Sequence, residues 1–132
     1  MMVVDASALV ALSDGEDDAA VFAEALQNSS AAMISSVNAF EVGLVLIGRG
    51  RLSDQKDLNR WLAEIGVTVY PGGADHTEAL TAYLAFGRGY HPAKLNLGDS
   101  FAYALAKSLD APLLYKGDDF ARTDIRSALQ PT

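Results

Sequence analysis

The first nine residues, Met1-Met2-Val3-Val4-Asp5-Ala6-Ser7-Ala8-Leu9, are apolar for four positions and then meet a carboxylate. A short continuous apolar run bounded by a polar turn predicts a buried strand over 1–4. Asp5-Ala6-Ser7 leads into a short helical segment that reaches about Leu12, and Ser13-Asp14-Gly15 breaks it. A second helix is expected over 16–27, with Ala20, Phe22, Ala23 and Leu26 on its apolar face. A brief strand follows over 32–35. Ser36 or Asn38 is placed to cap the next helix. In that helix Val37, Phe40, Leu44 and Ile47 form an apolar stripe at i, i+3, i+7 and i+10, and Gly48 and Gly50 end it.

The pattern continues with a helix over 54–65, a strand over 67–70 and a turn at Pro71-Gly72-Gly73. Beyond it come a helix over 74–86, a loop over 87–97, a compact Ala-rich helix over 98–109 and a strand over 111–115. Gly117-Asp118-Asp119-Phe120 makes a tight turn, and the tail from Asp124 holds little more than a turn or short helix. Strands separated by helices predict a three-layer α/β/α domain with a mainly parallel central sheet. No internal repeat, second domain or low-complexity segment interrupts it, so residues 1–132 are expected to form one domain. Sites in such sheets lie beyond the C-terminal ends of strands, near a topological switch.

Composition narrows the chemistry. The chain has no cysteine, which excludes disulfides, thiolate catalysis and a cysteine-ligated zinc. No run is long enough to span a bilayer and no signal-like leader opens the chain, so a cytoplasmic location is the default expectation. The net charge of −7 is unusual for a protein that handles nucleic acid, which normally relies on surface Lys and Arg. The excess of acid is either gathered around a metal site or attracts a basic protein partner.

Four acidic positions stand where segments begin or end: Asp5, Glu41, Asp99 and the pair Asp118-Asp119. Acidic groups set in apolar runs are costly unless something compensates them. Each has a structural reading beside the chemical one. Asp5 is either a helix cap at a strand-to-helix junction or the central metal ligand. Glu41 lies between Phe40 and Val42 with no Lys or Arg on its own helix face, so it serves either a metal or an arginine remote in sequence. Asp99 stands in the first turn of its helix, where the dipole favours an acid. The small residues Ala102 and Ala106 that follow would let that helix approach the sheet edge and bring Asp99 toward Asp5. Asp118 and Asp119 are ordinary turn residues, and only one of the two is expected to reach the site.

Several carboxylates at one point repel each other and raise their pKa values. Mg²⁺ or Mn²⁺ removes that penalty and takes oxygen ligands. Such a cation lowers the pKa of bound water and neutralises a phosphate. Ser7 either bonds a ligand or satisfies turn amides, and Ser100 reads as structural. His76 and His91 give no zinc spacing, and Tyr103 reads as packing. Arg49, Arg51, Lys56, Arg60, Arg88, Lys94, Lys116 and Arg122 are scattered cations. Of these, Arg88 and Lys94, with His91, occupy the loop before Asp99 and are the substrate-side candidates.

Four segments carry a resemblance to a known family. They are Val3-Val4-Asp5-Ala6-Ser7-Ala8, Asn38-Ala39-Phe40-Glu41, His91-Pro92-Ala93 with Leu97-Gly98-Asp99-Ser100-Phe101-Ala102-Tyr103-Ala104, and Leu114-Tyr115-Lys116-Gly117-Asp118-Asp119-Phe120 with Thr123-Asp124-Ile125. In order and spacing, over nearly the whole chain, they resemble the PIN-domain ribonucleases, particularly the VapC-type toxins of bacterial toxin–antitoxin pairs. The resemblance implies a PIN-like α/β/α fold and Mg²⁺- or Mn²⁺-dependent endonucleolytic cleavage of RNA, tRNA or another structured RNA included. It implies Asp5 and Asp99 as principal metal ligands and Glu41 as a ligand or water-orienting carboxylate. The fourth carboxylate falls in the 117–120 turn, where Asp119 is the first choice and Asp118 the second. That turn is shorter than in many relatives. The resemblance also implies a homodimer and a cognate VapB-type antitoxin, through which the pair would assemble on operator DNA. The acidic surface would favour a basic antitoxin segment. Two other classes remain: a catalytically silent domain that binds RNA or protein, and a phosphohydrolase using Asp5 as an aspartyl nucleophile.

Overall fold

Strand β1 (Met2–Val4) sends Met2 and Val4 into one core and Val3 into another, because successive side chains point to opposite faces. With both faces covered, the strand reads as an unbroken apolar run. The computed structural model describes residues 1–129. After β1 come α1 (Ala6–Asp14), α2 (Ala19–Asn28), β2 (Ala32–Ile34), α3 (Ser36–Gly48), α4 (Gln55–Glu64), β3 (Val67–Val69), α5 (His76–Phe86), α6 (Leu97–Ser108) and β4 (Leu113–Leu114), with a 3-10 turn at Phe120–Arg122.

The sheet is wholly parallel, in the order β3-β2-β1-β4. From β1 the chain steps one way to β2 and β3, then returns past both to place β4 on the far side of β1. Parallel crossovers keep one hand. Reversing the direction of travel therefore reverses the face on which the crossover helices lie. Helices α1 to α4 pack around Val4, Ile34 and Leu114 on one face, and α5 and α6 around Val3, Leu113 and Leu95 on the other. This is the expected three-layer α/β/α arrangement, and its switch point falls between β1 and β4, where the Asp5 amide donates to the Leu114 carbonyl at 2.9 Å.

Several local expectations need correction. Helix α3 does not bury the Phe40-Leu44-Ile47 stripe: Phe40 is 65% exposed and Leu44 60%. Its core face is Ala39, Val42, Gly43 and Leu46. The helix carries apolar residues around most of its circumference, so periodicity offers two stripes and tertiary packing selects one. The choice is fixed by Gly43, where Leu58 of α4 approaches closely, and by Asn38, which is fully buried. Its cap is Ser35, whose hydroxyl accepts from the Asn38 amide, rather than Ser36 or Asn38. Helix α2 begins at Ala19, not residue 16; Glu16 and Asp18 lie ahead of it and pair with Lys116. Helix α1 continues to Asp14, where Gly15 in the left-handed region (φ +65°) closes it. The tail adds a single parallel bridge from Ser127 to Leu113, and residues 130–132 lie outside the described residues.

Candidate active site

Asp5 ends β1 and caps α1 at once. Its Oδ2 accepts from the Ser7 amide at 3.0 Å, and the residue is only 4% exposed. The cap reading and the site reading of Asp5 are therefore compatible. Burial is the main reason its pKa is raised, opposed by the Ser7 bonds and assisted by the nearby charge of Glu41.

Glu41 projects from α3 one turn after Asn38. Its carboxylate accepts from Asn38 Nδ2 at 2.6 Å and lies against the backbone of Gly98, where a Cβ would collide with both carboxylate oxygens. Among the described residues no arginine is its partner. Its pKa is raised, first by burial and then by Asp99, with the Asn38 bond acting the other way. Asp99 follows Gly98 in the first turn of α6 and closes a capping box: Asn96 Oδ1 accepts from the Asp99 amide at 2.9 Å, and Asp99 Oδ2 accepts from the Asn96 amide at 3.1 Å. Burial, then the charges of Asp5 and Asp119, raise its pKa from 3.8 to about 6.

These influences form a chain: Asp5 feels Glu41, Glu41 feels Asp99, and Asp99 feels both Asp5 and Asp119. Four carboxylates from four segments thus share one field at the switch-point edge of the sheet. Asp118 takes no part in it, although both turn aspartates are exposed.

The remaining candidates divide. Ser7 Oγ accepts from the Lys116 amide at 3.0 Å, tying α1 to the loop after β4 beside Asp5. Ser100 Oγ donates to the Asn96 carbonyl, and Tyr103 donates to Asp124 from within the second core; both are structural. His91 packs edge-on against Phe86 and its Nδ1 accepts from the Ala93 amide at 3.0 Å, which leaves Nε2 to carry the ring proton. Arg88 and Lys94 are exposed on the loop entering α6 and form no ion pair among the described residues. Arg49 and Arg51 pair with Asp14, Arg60 with Asp57, and Lys116 with Glu16 and Asp18, while Lys56 and Arg122, like Arg88 and Lys94, form no ion pair among the described residues. Ser35 and Gly98 are not residues the sequence singles out for the site, and Asn38 enters there as a possible cap and as part of the Asn38-Ala39-Phe40-Glu41 segment. The legible signals were the i, i+3 spacing of Asn38 and Glu41 and a glycine directly before Asp99.

Whether these residues suit a divalent cation can be tested on their chemistry. The donors are all carboxylate oxygens, the set that Mg²⁺ and Mn²⁺ take. Burial first, and the charge of neighbouring carboxylates after it, raises three of the pKa values, a cost that a bound cation would offset. Among the described residues no three acidic or imidazole side chains close into a ready-made cage. A hydrated cation needs one or two carboxylates in direct contact and fills its other positions with water, so the oxygen donors suit it by chemistry without a preformed cage. The residues fit.

Comparison with known proteins bears on the same segments. Residues 2–126 match the family model described as PIN domain. The VapC ribonuclease Mb2780c of Mycobacterium bovis is 43% identical over 129 residues, covering 96% of this chain and 98% of the relative. Ribonuclease VapC30 of Mycobacterium tuberculosis is 39% identical over 131 residues, covering 98% and 100%. Ribonuclease VapC28 of the same species is 40% identical over 130 residues, covering 97% and 98%. With its all-parallel α/β/α sheet and these matches, the chain belongs to the PIN-domain family, among relatives that are VapC ribonucleases.

Proposed function

We propose that this chain is a metal-dependent endoribonuclease toxin that cleaves RNA phosphodiester bonds and is neutralised by a cognate VapB-type antitoxin. The observation that carries the reading is the shared field of Asp5, Glu41, Asp99 and Asp119 on one sheet edge. Membership of the PIN-domain family beside named ribonucleases supports the reaction class. Asp5 and Asp99 would hold Mg²⁺ or Mn²⁺, with Glu41 and Asp119 as further oxygen donors. When bound, the cation offsets charge on the phosphate and makes water a competent nucleophile near neutral pH. Glu41, more basic than an ordinary carboxylate because it is buried, orients the attacking water and accepts its proton. Ser7, Arg88, His91 and Lys94 contact the RNA, the two unpaired cations through phosphate oxygens.

The whole chain, residues 1–132, works as one catalytic domain in the cytoplasm, where RNA and antitoxin are found. No helix among the described residues is long and apolar enough to cross a membrane. Phe40 and Leu44 on α3 and Leu80 and Leu84 on α5 are each more than half exposed. Apolar surface of this kind supports a homodimer. The net charge of −7 supports a basic antitoxin segment as partner, and the antitoxin rather than the toxin contacts operator DNA. The test is purified, antitoxin-free protein on total RNA and on tRNA, with Mn²⁺ and Mg²⁺ titrations and mapping of cleaved ends. The reading expects internal cleavage that EDTA abolishes. Binding of RNA without turnover across both metals would overturn it.

A further inference from the structure

Asn38 is the largest polar side chain that the fold buries completely, at 0% exposure. A buried amide survives only if its hydrogen-bonding capacity is met. Here it is met on every side. Ser35 Oγ donates to Asn38 Oδ1 at 2.6 Å and accepts from the Asn38 amide at 3.1 Å. Asn38 Nδ2 donates to Glu41 Oε1 at 2.6 Å and to the Gly98 carbonyl at 2.9 Å. Reversing the side-chain amide would set its oxygen against a carboxylate and a carbonyl, so one orientation is fixed by its neighbours.

We propose that Asn38 is a positioning residue: its amide pins Glu41 into the notch left by Gly98 and locks α3 to α6 at the point where each helix delivers a carboxylate. The inference rests on the nuclease reading above and extends it to a residue outside the acidic set. Three physical features carry it. The hydrogen bond removes rotamer freedom from a flexible Glu side chain, and the absent Cβ at Gly98 gives the carboxylate its seat. The same NH₂ group reaches the backbone directly before Asp99, so the separation of Glu41 and Asp99 is set by one planar group. The donor is neutral. A Lys or Arg at this point would anchor Glu41 equally well, but would cancel the negative charge that a cation needs. An Asp would present two acceptors to two acceptors.

The experiment compares wild type with Asn38→Ala, Asn38→Asp, Glu41→Gln and the double variant Asn38→Ala/Glu41→Gln. Ser35→Ala is a milder variant that loosens the amide without emptying its site. Three readouts are taken on folded protein: kcat and KM on a defined RNA, Mn²⁺ affinity by electron paramagnetic resonance, and melting temperature. A positioning role lowers kcat of Asn38→Ala by about 10–100-fold with KM for RNA unchanged, as loss of a group that orients a ligand does. Mn²⁺ affinity weakens several-fold in Asn38→Ala, more so in Asn38→Asp, and least in Ser35→Ala. The double variant is no slower than Glu41→Gln alone, because Asn38 acts through Glu41. If Asn38→Ala does not fold, Ser35→Ala carries the same test with a smaller shift in the same direction. Multiplicative losses in the double variant would overturn the proposal. So would a lowered melting temperature with Mn²⁺ affinity and kcat unchanged in the folded fraction. A wild type that binds Mn²⁺ but cleaves no RNA would instead defeat the nuclease reading, and the Mn²⁺ affinities would still decide the role of Asn38.

Discussion

Asp5 and Glu41 sit where each carboxylate is gripped by an internal donor, whereas Asp118 and Asp119 stand in an exposed turn where the side chain of Asp119 caps nothing. The first pair forms a floor made of strand end, helix cap and buried amide. The second pair forms a rim carried by a loop. The floor has its charge concentrated by burial, and its groups are more basic than free carboxylates. The rim remains in water. The difference teaches where precision is stored. Asp5, Glu41 and Asp99 are held by regular elements and their hydrogen bonds, whereas Asp119 stands on an exposed turn without a side-chain cap bond.

The largest effect should come from breaking the floor. Asp5→Asn or Asp99→Asn is expected to lower kcat on the order of 10³-fold, the scale of losing a principal electrostatic group. The apo protein should melt no lower, because an amide at position 5 can still accept from the Ser7 amide and is free of the cost of burying charge. Activity assays and thermal denaturation in EDTA check both halves. A cleaved substrate at wild-type rate, or an unfolded Asp5→Asn, would break the comparison.

Gly98→Ala attacks the seat of Glu41 without touching any carboxylate. The new methyl would collide with both Glu41 oxygens, so one of them must move. A displacement of that size should cost about 10²-fold in kcat. The accompanying destabilisation should be about 1–3 kcal/mol, read from denaturant unfolding. Gly15→Ala provides the contrast, since its strain lies at a positive φ with no side chain nearby and should leave kcat intact.

Asp119→Asn should lower kcat or Mn²⁺ affinity about tenfold, and Asp118→Asn should change neither beyond about twofold. Only Asp119 contributes to the field at Asp99. Equal losses from the two substitutions would mean that the rim shares its load and that the two regions differ less than described.

The smallest effect, and the one that sharpens the comparison by sign, is on pH. Without a cation, Asp99 titrates at about 6 when folded, above its ordinary 3.8. Its protonated form therefore stabilises the fold. That stabilisation is complete below about pH 3.8 and is lost as pH rises through about 6. Asp5 and Glu41 shift in the same direction. A bound cation reverses the preference, because ligand carboxylates must be deprotonated. The rise in melting temperature on adding Mn²⁺ should therefore be small near pH 5 and grow toward pH 7.5. A gain independent of pH would place the cation elsewhere.

Much of this site was legible in the chain, for reasons that can be named. Asp5 is conspicuous because a carboxylate at the end of an apolar strand has few cheap roles, and the strand itself is present as β1. Glu41 stood out because its helix offers no basic partner. The α3 stripe misled because Phe40, Leu44 and Ile47 are as apolar as Val42 and Leu46, and periodicity cannot choose between two apolar faces. The pairing of Lys116 with Glu16 and Asp18 ahead of α2 was hidden because the partners stand about a hundred residues apart in sequence. The Asn38 network was hidden for the same reason. Its partner across the site is a backbone carbonyl, and backbone groups leave no mark in a list of residue types.

The central claim is that Asp5, Glu41, Asp99 and Asp119 converge to hold one divalent cation on the switch-point edge. Anomalous diffraction from crystals soaked in Mn²⁺ tests it most directly. The account predicts a peak coordinated by Asp5 and Asp99, absent in Asp99→Asn crystals. A peak confined to the separate acidic turn of Glu16, Asp17 and Asp18, or no ordered Mn²⁺ beside Asp5, would contradict it.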